Sequence, residues 1–399
     1  MKILHISPRV PFPPTDGGAI GIYNIVTGAA KAGHEIHLLS VNTPKHRQPD
    51  NVVPHLAFQK SVFIDTSLSV MKALGNFFKN IPYNVDRFIS NEFSKVLIEM
   101  LKRNNYDVVQ IEGTYVAWYV DLVKKYAACP IIIRAHNIEY VIWERLAENC
   151  ENPFKKNYLK FLAKRLKKFE AEYYKKFDGI AAITQEDVNR LRSMGVNNTT
   201  RTIPAGVNIE NFKTSSISPK PFTIFILSSL DWLPNQEAVL WFLKNVWTEL
   251  IKEIPQMELH IAGKNTPDSF YQLKGDSIII HGFVNNSSEF MQQHDLMAVP
   301  LLSGGGMRVK IIEGMAQGKI IISSSVGAEG IHCEDGKNIL IADSFEEWVS
   351  KIVAYFRQRQ SYLQIGENAR SLIAKEYSNE KVTSDYIEFY KELIAHRKR

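Results

Sequence analysis

The chain contains little of what disulfide-linked, membrane-spanning or cysteine-ligated metalloproteins need. Its 399 residues include three widely spaced cysteines, Cys129, Cys150 and Cys333. An odd number at this spacing argues against a disulfide framework and against a cysteine-type zinc site. No uninterrupted apolar run approaches the ~20 residues of a membrane-spanning helix, and the first residues lack the pattern of a secretory signal. We therefore expect a cytoplasmic protein.

Net positive charge is confined to one segment. The formal net charge is +6, but residues 155–176 alone hold nine Lys or Arg and two Glu. A nucleic-acid-binding protein usually spreads basic residues over a broader face, so we expect no nucleic-acid partner. The segment is predicted to be a basic amphipathic helix, whose apolar stripe consists of Leu159, Leu162, Leu166, Phe169 and Tyr173. Either its lysines are simply solvated, or they contact an anionic membrane surface.

Short, almost wholly apolar runs alternate with helical patterns along the whole chain. Such alternation predicts parallel strands in right-handed βαβ units. A Ser-, Thr- and Pro-containing stretch at 204–221 interrupts it and has the composition of a linker. We predict an α/β protein of two Rossmann-like, doubly wound domains that face a cleft. The first covers 1–205, the second covers 206–377, and a C-terminal helix at 378–399 packs back on the first. The predicted strands are 2–7, 35–41, 62–64, 107–111, 130–134, 179–184, 222–228, 257–262, 277–281, 296–299 and 319–323.

Two loops of the first domain follow predicted strands, where ligands bind in such sheets. The first is stiffened by four prolines and ends with Gly17 and Gly18 at the start of a helix. Glycine allows close backbone approach, and helix-start amides favour an anion. The loop matches neither the dinucleotide fingerprint nor a Walker loop. The second loop carries His136, which either is structural or donates a hydrogen bond to a substrate.

The most informative loop follows the predicted strand 296–299. It contains Gly304, Gly305 and Gly306, then Met307 and Arg308, and a helix begins with Lys310. Cations in a first helical turn oppose the helix dipole, which is more easily tolerated when an anion binds there. Arg308 and Lys310 suit a phosphate, and Glu313, three residues further on, suits a pair of ribose hydroxyls. The alternative is an ordinary glycine turn with an exposed Lys–Glu pair.

With these loops the sequence resembles the retaining nucleotide-sugar glycosyltransferases of the GT-B fold, of the family 4 or "group 1" type. In that family the second Glu of a Glu-x7-Glu motif contacts the donor ribose and corresponds to Glu313. The first Glu corresponds to Gly305, so this chain departs from the motif. The family's diphosphate-binding Arg and Lys are missing from residues 227–235, and Arg308 and Lys310 are the natural replacements. The pattern resembles a subgroup with Gly-Gly-Gly-Met-Arg-x-Lys-x-x-Glu.

The resemblance also implies roles for residues in three other loops. Gly17 and Gly18 correspond to the loop whose amides meet the donor phosphate, and His136 to a histidine beside the donor sugar. Phe283 and Val284 lie in the loop that receives the base. The metal-dependent GT-A transferases hold their metal with an Asp-x-Asp motif, which this chain lacks. We therefore expect no catalytic metal and no cofactor apart from the nucleotide sugar as substrate.

The expected function follows from this resemblance. The enzyme transfers a sugar from a nucleoside-diphosphate sugar to a glycan or lipid-linked glycan, with retention, in bacterial-type cell-surface polysaccharide synthesis. Its location is cytoplasmic, at the inner membrane face if the basic segment 155–176 binds there. Two alternatives remain: another GT-B enzyme such as a nucleotide-sugar epimerase, and a non-catalytic nucleotide-sugar-binding scaffold. The identities of the nucleotide, sugar and acceptor do not follow from the sequence.

Overall fold

The chain folds into two compact units, each built on one parallel sheet. The computed structural model describes residues 1–399 except 68, 70, 72–74, 77, 78, 80, 213–217, 305, 398 and 399. Unit 1 comprises Met1–Gly206 and Asn379–Arg399, and unit 2 comprises Val207–Ser378. Both sheets have the strand order of doubly wound folds. The prediction of two Rossmann-like α/β domains is therefore confirmed.

The sheet of unit 1 winds outward in both directions from its central strand. Its strand order is β3-β2-β1-β4-β5-β6-β7, and all pairs are parallel. The central strands are almost fully buried, as expected where helices cover both faces. The strands are β1 Lys2–Ser7, β2 Glu35–Asn42, β3 Phe58–Phe63, β4 Val108–Glu112, β5 Ile131–Ala135, β6 Gly179–Ala182 and β7 Thr199–Thr202.

The helices of unit 1 connect these strands. They are α1 Gly17–Lys31, α2 Tyr83–Asp86, α3 Asn91–Arg103, α4 Val120–Tyr126, α5 Glu139–Glu148, α6 Pro153–Tyr173 and α7 Gln185–Ser193. Helix α6 carries the basic segment, and the five residues of its apolar stripe are buried in the core. Its Glu170 accepts hydrogen bonds from the backbone N–H groups of Glu139 and Tyr140, at 2.8 and 3.2 Å. These contacts fix the stripe face of α6 against α5 and leave its lysines on the outside.

Unit 2 repeats the arrangement with six strands in the order β10-β9-β8-β11-β12-β13. The strands are β8 Lys220–Leu227, β9 Glu258–Ala262, β10 Ile278–Gly282, β11 His294–Val299, β12 Ile320–Ser323 and β13 Leu340–Ile341. The helices are α8 Leu233–Trp241, α9 Thr248–Glu253, α10 Asp268–Tyr271, α11 Ser287–Gln293, α12 Val309–Ala316, α13 Phe345–Arg357 and α14 Leu363–Glu376. The winding direction reverses between β8 and β11, as it does between β1 and β4 in unit 1. Such reversal points form the ligand crevices of open α/β sheets.

The last helix, α15 Asn379–Arg397, belongs to unit 1. Its Phe389, Tyr390 and Leu393 are buried in the same apolar cluster as Ile132 of β5 and Ala181 of β6. A Cβ on Gly179 would lie 2.4 Å from Leu393, so glycine at the start of β6 makes room for this helix.

Three edge strands differ from the sequence prediction. Strand β3 begins at Phe58, four residues before the predicted start, and β7 and β13 were not predicted. Strand β7 has the sequence Thr-Thr-Arg-Thr and is partly exposed, and β13 has two residues. An apolar run reveals a strand that is covered on both faces, but a short or polar edge strand does not produce such a run. Residues Phe242–Trp247 form a π-helical turn between α8 and α9.

Among the described residues, no helix combines the length and the apolar character that crossing a membrane requires.

Candidate functional site

The glycine-rich loop of unit 2 connects β11 to α12. Gly304 and Gly306 have positive φ angles of 128° and 71°, a backbone region that favours glycine. A Cβ on Gly304 would lie 2.7 Å from a guanidinium nitrogen of Arg308 and 2.9 Å from the indole of Trp232. Glycine at 304 therefore lets the backbone pass directly against these two side chains. Gly305 lies outside the described residues.

Arg308 is the residue immediately before α12 and has extended backbone angles. Its guanidinium carbon lies 5.4 Å from the centroid of the Trp232 ring, within the range of a cation–π contact. Trp232 follows β8, and β8 pairs with β11. The contact therefore lies at the reversal point of the unit 2 sheet. An arginine held against an aromatic ring has fewer side-chain conformations, which favours bidentate binding of phosphate oxygens by its planar guanidinium.

Lys310 and Glu313 form an ion pair on the first turn of α12. Their Nζ and Oε2 atoms are 2.6 Å apart, and their side chains are 25% and 8% exposed. Lys310 also approaches Ser287 Oγ at 3.4 Å. The pair is thus half-buried, unlike the exposed pair of the alternative interpretation. A ligand with a phosphate and two neighbouring hydroxyls offers both groups new partners, because lysine donates to an anion and the carboxylate accepts from hydroxyls.

The loop after β10 carries Phe283 and Val284. The last residue of β10, Gly282, has a φ of 68°, and its carbonyl accepts a 2.7 Å hydrogen bond from Gly263 N–H. Phe283 is 56% exposed, so its ring is available as an apolar surface. This loop leads into Ser287, the residue that contacts Lys310. The structure therefore places Phe283 and Val284 on a segment adjacent to the Arg308–Glu313 turn.

In that turn the remaining predicted residue, Met307, is buried. Its side chain packs inward, so it supports the loop, and only its backbone remains for contact with a ligand.

In unit 1, the predicted loop at Gly17 and Gly18 is organised by an ion pair. The Arg9 guanidinium donates two hydrogen bonds to the Asp16 carboxylate, one of them at 2.9 Å between Nη1 and Oδ2. Asp16 also caps α1 by accepting from Ala19 N–H at 3.2 Å. A Cβ on Gly18 would lie 2.7 Å from Arg9 Nη2, so this glycine accommodates the guanidinium. The two glycines are exposed, and their amides remain accessible to a ligand.

His136 follows β5 and belongs to a buried network centred on Glu112, at the end of β4. Its Nε2 lies 2.8 Å from Glu112 Oε2. The other carboxylate oxygen contacts His5 Nδ1 at 3.2 Å and Gln110 Nε2 at 2.6 Å. Arg134 Nη1 lies 3.5 Å from Oε2. Glu112 is fully buried, and it is the acceptor around which the other four side chains are arranged.

The charges of this network are fixed by its contacts. Burial alone raises the pKa of Glu112, but hydrogen bonds from His136 and His5 and the charge of Arg134 outweigh it and hold the pKa well below its usual range. Burial and the Arg134 charge lower the pKa of His136. At neutral pH, the carboxylate is ionised and the imidazole is neutral, so the imidazole donates its Nε2–H to Glu112. The network thus sets the tautomer and orientation of His136.

Comparisons with known proteins agree with this architecture. Residues 15–211 match the family model described as Glycosyltransferase Family 4, and residues 221–358 match the model described as Glycosyl transferases group 1. The two models together include Gly17, Gly18 and His136 in unit 1 and the whole of the segment 304–313 in unit 2. The chain is a glycosyltransferase of the GT-B type.

The relatives are distant in sequence but extend over nearly the whole chain. An uncharacterized 44.6 kDa protein in the cps region of Klebsiella pneumoniae is 24% identical over 398 residues, which is 96% of this chain and 98% of the relative. The sucrose-phosphate synthase of Thermosynechococcus elongatus is 15% identical with a TM-score of 0.75, covering 99% of this chain and all of that one. Alr3699/HepE of Anabaena, solved in complex with UDP, is 14% identical with a TM-score of 0.70, covering 98% of this chain and 100% of that one.

Several polar residues of this glycosyltransferase's sites escaped the sequence analysis. Arg9 and Asp16 flank the proline-rich loop, but their pairing depends on how that loop folds. Glu112 directly follows one predicted strand and Arg134 ends another, and a charged residue at the end of an apolar strand is the signal that could have found them. Trp232 has no local signal, because its partner Arg308 is 76 positions away in the sequence.

Proposed function

We propose that this GT-B glycosyltransferase transfers a sugar from a nucleoside-diphosphate sugar to a hydroxyl of a glycan or lipid-linked glycan, with retention of the anomeric configuration. Two comparisons support the substrate classes. The Anabaena neighbour was solved with UDP and also with UDP-glucose, and the Klebsiella relative belongs to a cps region. We propose bacterial-type cell-surface polysaccharide synthesis as the context.

The observation that carries the proposal is the arrangement of Arg308 and Lys310 at the start of α12. Arg308 is held on Trp232, and Lys310 is held by Glu313, so two cations occupy one turn of backbone at a sheet reversal point. A diphosphate leaving group gains negative charge as the glycosidic bond breaks. Cations that are already oriented stabilise this charge without reorganisation in the transition state.

The other residues of unit 2 complete the donor site. Glu313 holds the ribose hydroxyls once the donor phosphate engages Lys310. The backbone of Phe283 and Val284 receives the base, and the exposed Phe283 ring offers it an apolar surface. Gly304 and Gly306, with Gly305 between them, supply backbone amides for the phosphate oxygens.

In unit 1, the amides of Gly17 and Gly18 contact the donor phosphate, and His136 positions the donor sugar. The hydrogen bond between His136 Nε2 and Glu112 holds the imidazole in one orientation for this role. The acceptor hydroxyl attacks the anomeric carbon on the leaving-group face. The bond between that carbon and the phosphate oxygen breaks, and a donor phosphate oxygen takes the acceptor's proton. We propose that no divalent cation bridges the diphosphate.

The decisive experiment removes Arg308. In R308A we expect kcat/KM for sugar transfer to fall by about 10²–10³-fold, which is typical for loss of one group that stabilises a developing oxyanion. The matched control is R357A, because Arg357 lies in the same unit but forms an exposed pair with Glu253. An unchanged kcat/KM in R308A would refute the diphosphate role. Because we propose that no divalent cation bridges the diphosphate, we expect full activity without added Mg²⁺ or Mn²⁺.

A ligand panel identifies the donor and separates the alternatives. We expect one of UDP, GDP, ADP, CMP or dTDP, or its sugar conjugate, to raise the melting temperature of the wild type and not of R308A. Product analysis by NMR with an acceptor should show a retained anomeric configuration. An altered free nucleotide sugar without acceptor would indicate an epimerase or hydrolase, and binding without any turnover would indicate a scaffold.

We also propose that the basic face of α6 contacts an anionic membrane. Its apolar stripe is buried in unit 1, so the contact is electrostatic and comes from the exposed lysines of residues 155–176. Phe154 and Tyr158, at the start of the same helix, are 87% and 53% exposed and suit the membrane interface. Binding to phosphatidylserine vesicles should strengthen at low salt and weaken in K160E/K164E. Binding that is absent or independent of salt would refute this proposal.

A further inference from the structure

Three histidines converge in unit 2, outside the residues assigned to the donor. His260 lies on β9, His281 on β10, and His294 begins β11. One ring nitrogen from each lies within 4.8 Å of the other two. His260 Nδ1 and His281 Nε2 are 2.9 Å apart, and the rings of His260 and His294 are 4.1 Å apart between centroids. Successive histidines are 21 and 13 positions apart in the chain, so the fold brings them together.

Local irregularities of the sheet occur where these histidines lie. The β9–β10 register shifts between Ile280 and Gly282, which is the position of His281. The β8–β11 register shifts between His294 and Leu296. Such irregularities change the direction of a side chain relative to the regular alternation of a strand. Both register shifts therefore occur at or next to histidines of the cluster.

The outer nitrogens of two of the histidines are held by acceptors. His260 Nε2 lies 3.1 Å from Glu258 Oε2, and His294 Nδ1 lies 2.7 Å from the carbonyl oxygen of Phe290. A histidine that donates one N–H to a carboxylate or a carbonyl presents a lone pair on its other nitrogen. This is the usual environment of metal-binding histidines, because the acceptor fixes the tautomer and raises the basicity of the ligand.

The histidine cluster is covered by an aromatic ring on one side and exposed to solvent on another. The Phe290 ring lies 4.4 Å from the His294 ring and 5.1 Å from the His281 ring, between centroids. His260 and His294 are buried, whereas His281 is exposed. An ion therefore has an entry path next to His281, and a water molecule can occupy a further coordination position there.

We propose that His260 Nδ1, His281 Nε2 and His294 Nε2 bind one divalent transition-metal ion of the zinc class. Three imidazole nitrogens are a ligand set that zinc accepts, with water as the fourth ligand. In the metal-free protein, His260 Nδ1 accepts the hydrogen bond from His281 Nε2–H. Metal binding displaces that proton, which leaves the imidazole either to solvent or by transfer to His281 Nδ1. The ion links β9 and β10 to β11 across the intervening β8 and is structural.

The test uses full-length protein, freed of any histidine tag and stripped with EDTA. Titration with Co²⁺ should give the visible d–d absorption of a tetrahedral site and saturate at one equivalent, and Zn²⁺ should displace the Co²⁺. At about 100 times its Kd, Zn²⁺ should raise the melting temperature by roughly 5–10 °C. These readouts do not depend on catalytic activity. Failure to saturate at one equivalent would overturn the proposal.

Three variants make the result specific. His281 is exposed, so H281A should fold normally and lose the Co²⁺ spectrum. E258Q keeps all three ligands but changes the group that orients His260, and it should weaken binding by about 10–100-fold. The control is H37Q, since His37 is also on a strand and contacts Glu35 and Tyr106, and it should bind like the wild type. A spectrum that persists unchanged in H281A would refute the site.

Discussion

The two units place different chemistry at the same topological position. In unit 1, the crevice between β1 and β4 holds a closed set of charges, in which Arg9 pairs with Asp16 and Glu112 faces Arg134 and His136. In unit 2, the crevice between β8 and β11 holds Arg308 on an aromatic ring and Lys310 paired with Glu313 on one helical turn. The formal charges of Arg9, Asp16, Glu112 and Arg134 sum to zero, whereas those of Arg308, Lys310 and Glu313 sum to +1.

In the proposed function, this difference separates a supporting site in unit 1 from an anion-binding site in unit 2. The Glu112 carboxylate is fully buried, and removing any of its partners exposes a charge to a low-dielectric interior. Lys310 is 25% exposed, so a phosphate can compete with Glu313 for it at much lower cost. We infer that unit 1 holds His136 in one geometry, while unit 2 exchanges internal contacts for contacts with the ligand.

The largest effect is expected from substituting Glu112, the centre of the buried network in unit 1. E112Q keeps the shape of the side chain but leaves Arg134 without its buried counter-charge. Removing one partner of a buried pair costs about 3–5 kcal/mol, so we expect the melting temperature of unit 1 to fall by roughly 10 °C. The measurement is differential scanning calorimetry at pH 7.

The control is E35Q, because Glu35 pairs with Lys2 and His37 on the same sheet but its side chain is 49% exposed. Its loss should leave the melting temperature nearly unchanged, because an exposed ion pair contributes little to stability.

The pH dependence of stability gives a second check on the role of Glu112. Since the pKa of Glu112 is depressed in the folded protein, its contribution is complete above its ordinary value of about 4.3 and is lost as the pH falls below it. The difference between wild type and E112Q should therefore be constant from pH 5 to 8 and shrink below pH 4.3. Equal stabilities at pH 7 would contradict the network's role.

A smaller effect is expected from adding a side chain at Gly304 in the unit 2 site. G304A places a methyl group against Arg308 and Trp232 at a backbone angle that alanine rarely adopts. We expect unit 2 to lose about 1–3 kcal/mol of stability and the nucleotide-induced rise in melting temperature to disappear. Both are measured by thermal denaturation with and without the nucleotide that the panel identifies.

The matched substitution is G275A, in the same unit, where an added Cβ meets nothing within 4 Å. It should change stability by less than about 0.5 kcal/mol and leave nucleotide binding intact. If G304A behaves like G275A, the loop has enough freedom to move away and does not hold Arg308 in place.

The sequence was sufficient to predict the fold because the signals were local. Strands such as β1 and β5 are apolar runs, and their alternation with helices limits the topology to doubly wound sheets. The edge strands β7 and β13 could not be predicted, since their pairing is decided by neighbouring strands and not by burial.

The unit 2 site was more accessible to sequence reasoning than the unit 1 site. Gly304, Arg308, Lys310 and Glu313 lie within one ten-residue segment, so their spacing alone brings them onto one turn. The Glu112 network joins residues that are up to 107 positions apart, and the three-histidine cluster spans three strands. No spacing in the sequence predicts either group of residues, because strand order and register bring them together.

The smallest effect we predict concerns the Trp232 ring that contacts Arg308. This prediction distinguishes the orientation of the Arg308 guanidinium from the effect of its charge. W232L keeps an apolar side chain but removes the π-system, which contributes about 0.5–1 kcal/mol at a partly exposed site. We expect kcat/KM to fall by about two- to fivefold, which corresponds to that energy. W232F should have an intermediate effect, and the melting temperature should be nearly unchanged.

Steady-state kinetics of W232L, R308A and the double variant provide the measurement. If the ring acts by orienting Arg308, then W232L has no further effect in the R308A background. If the two effects instead add, Trp232 contributes through its own contact with the donor, and the cation is held in place by the loop alone.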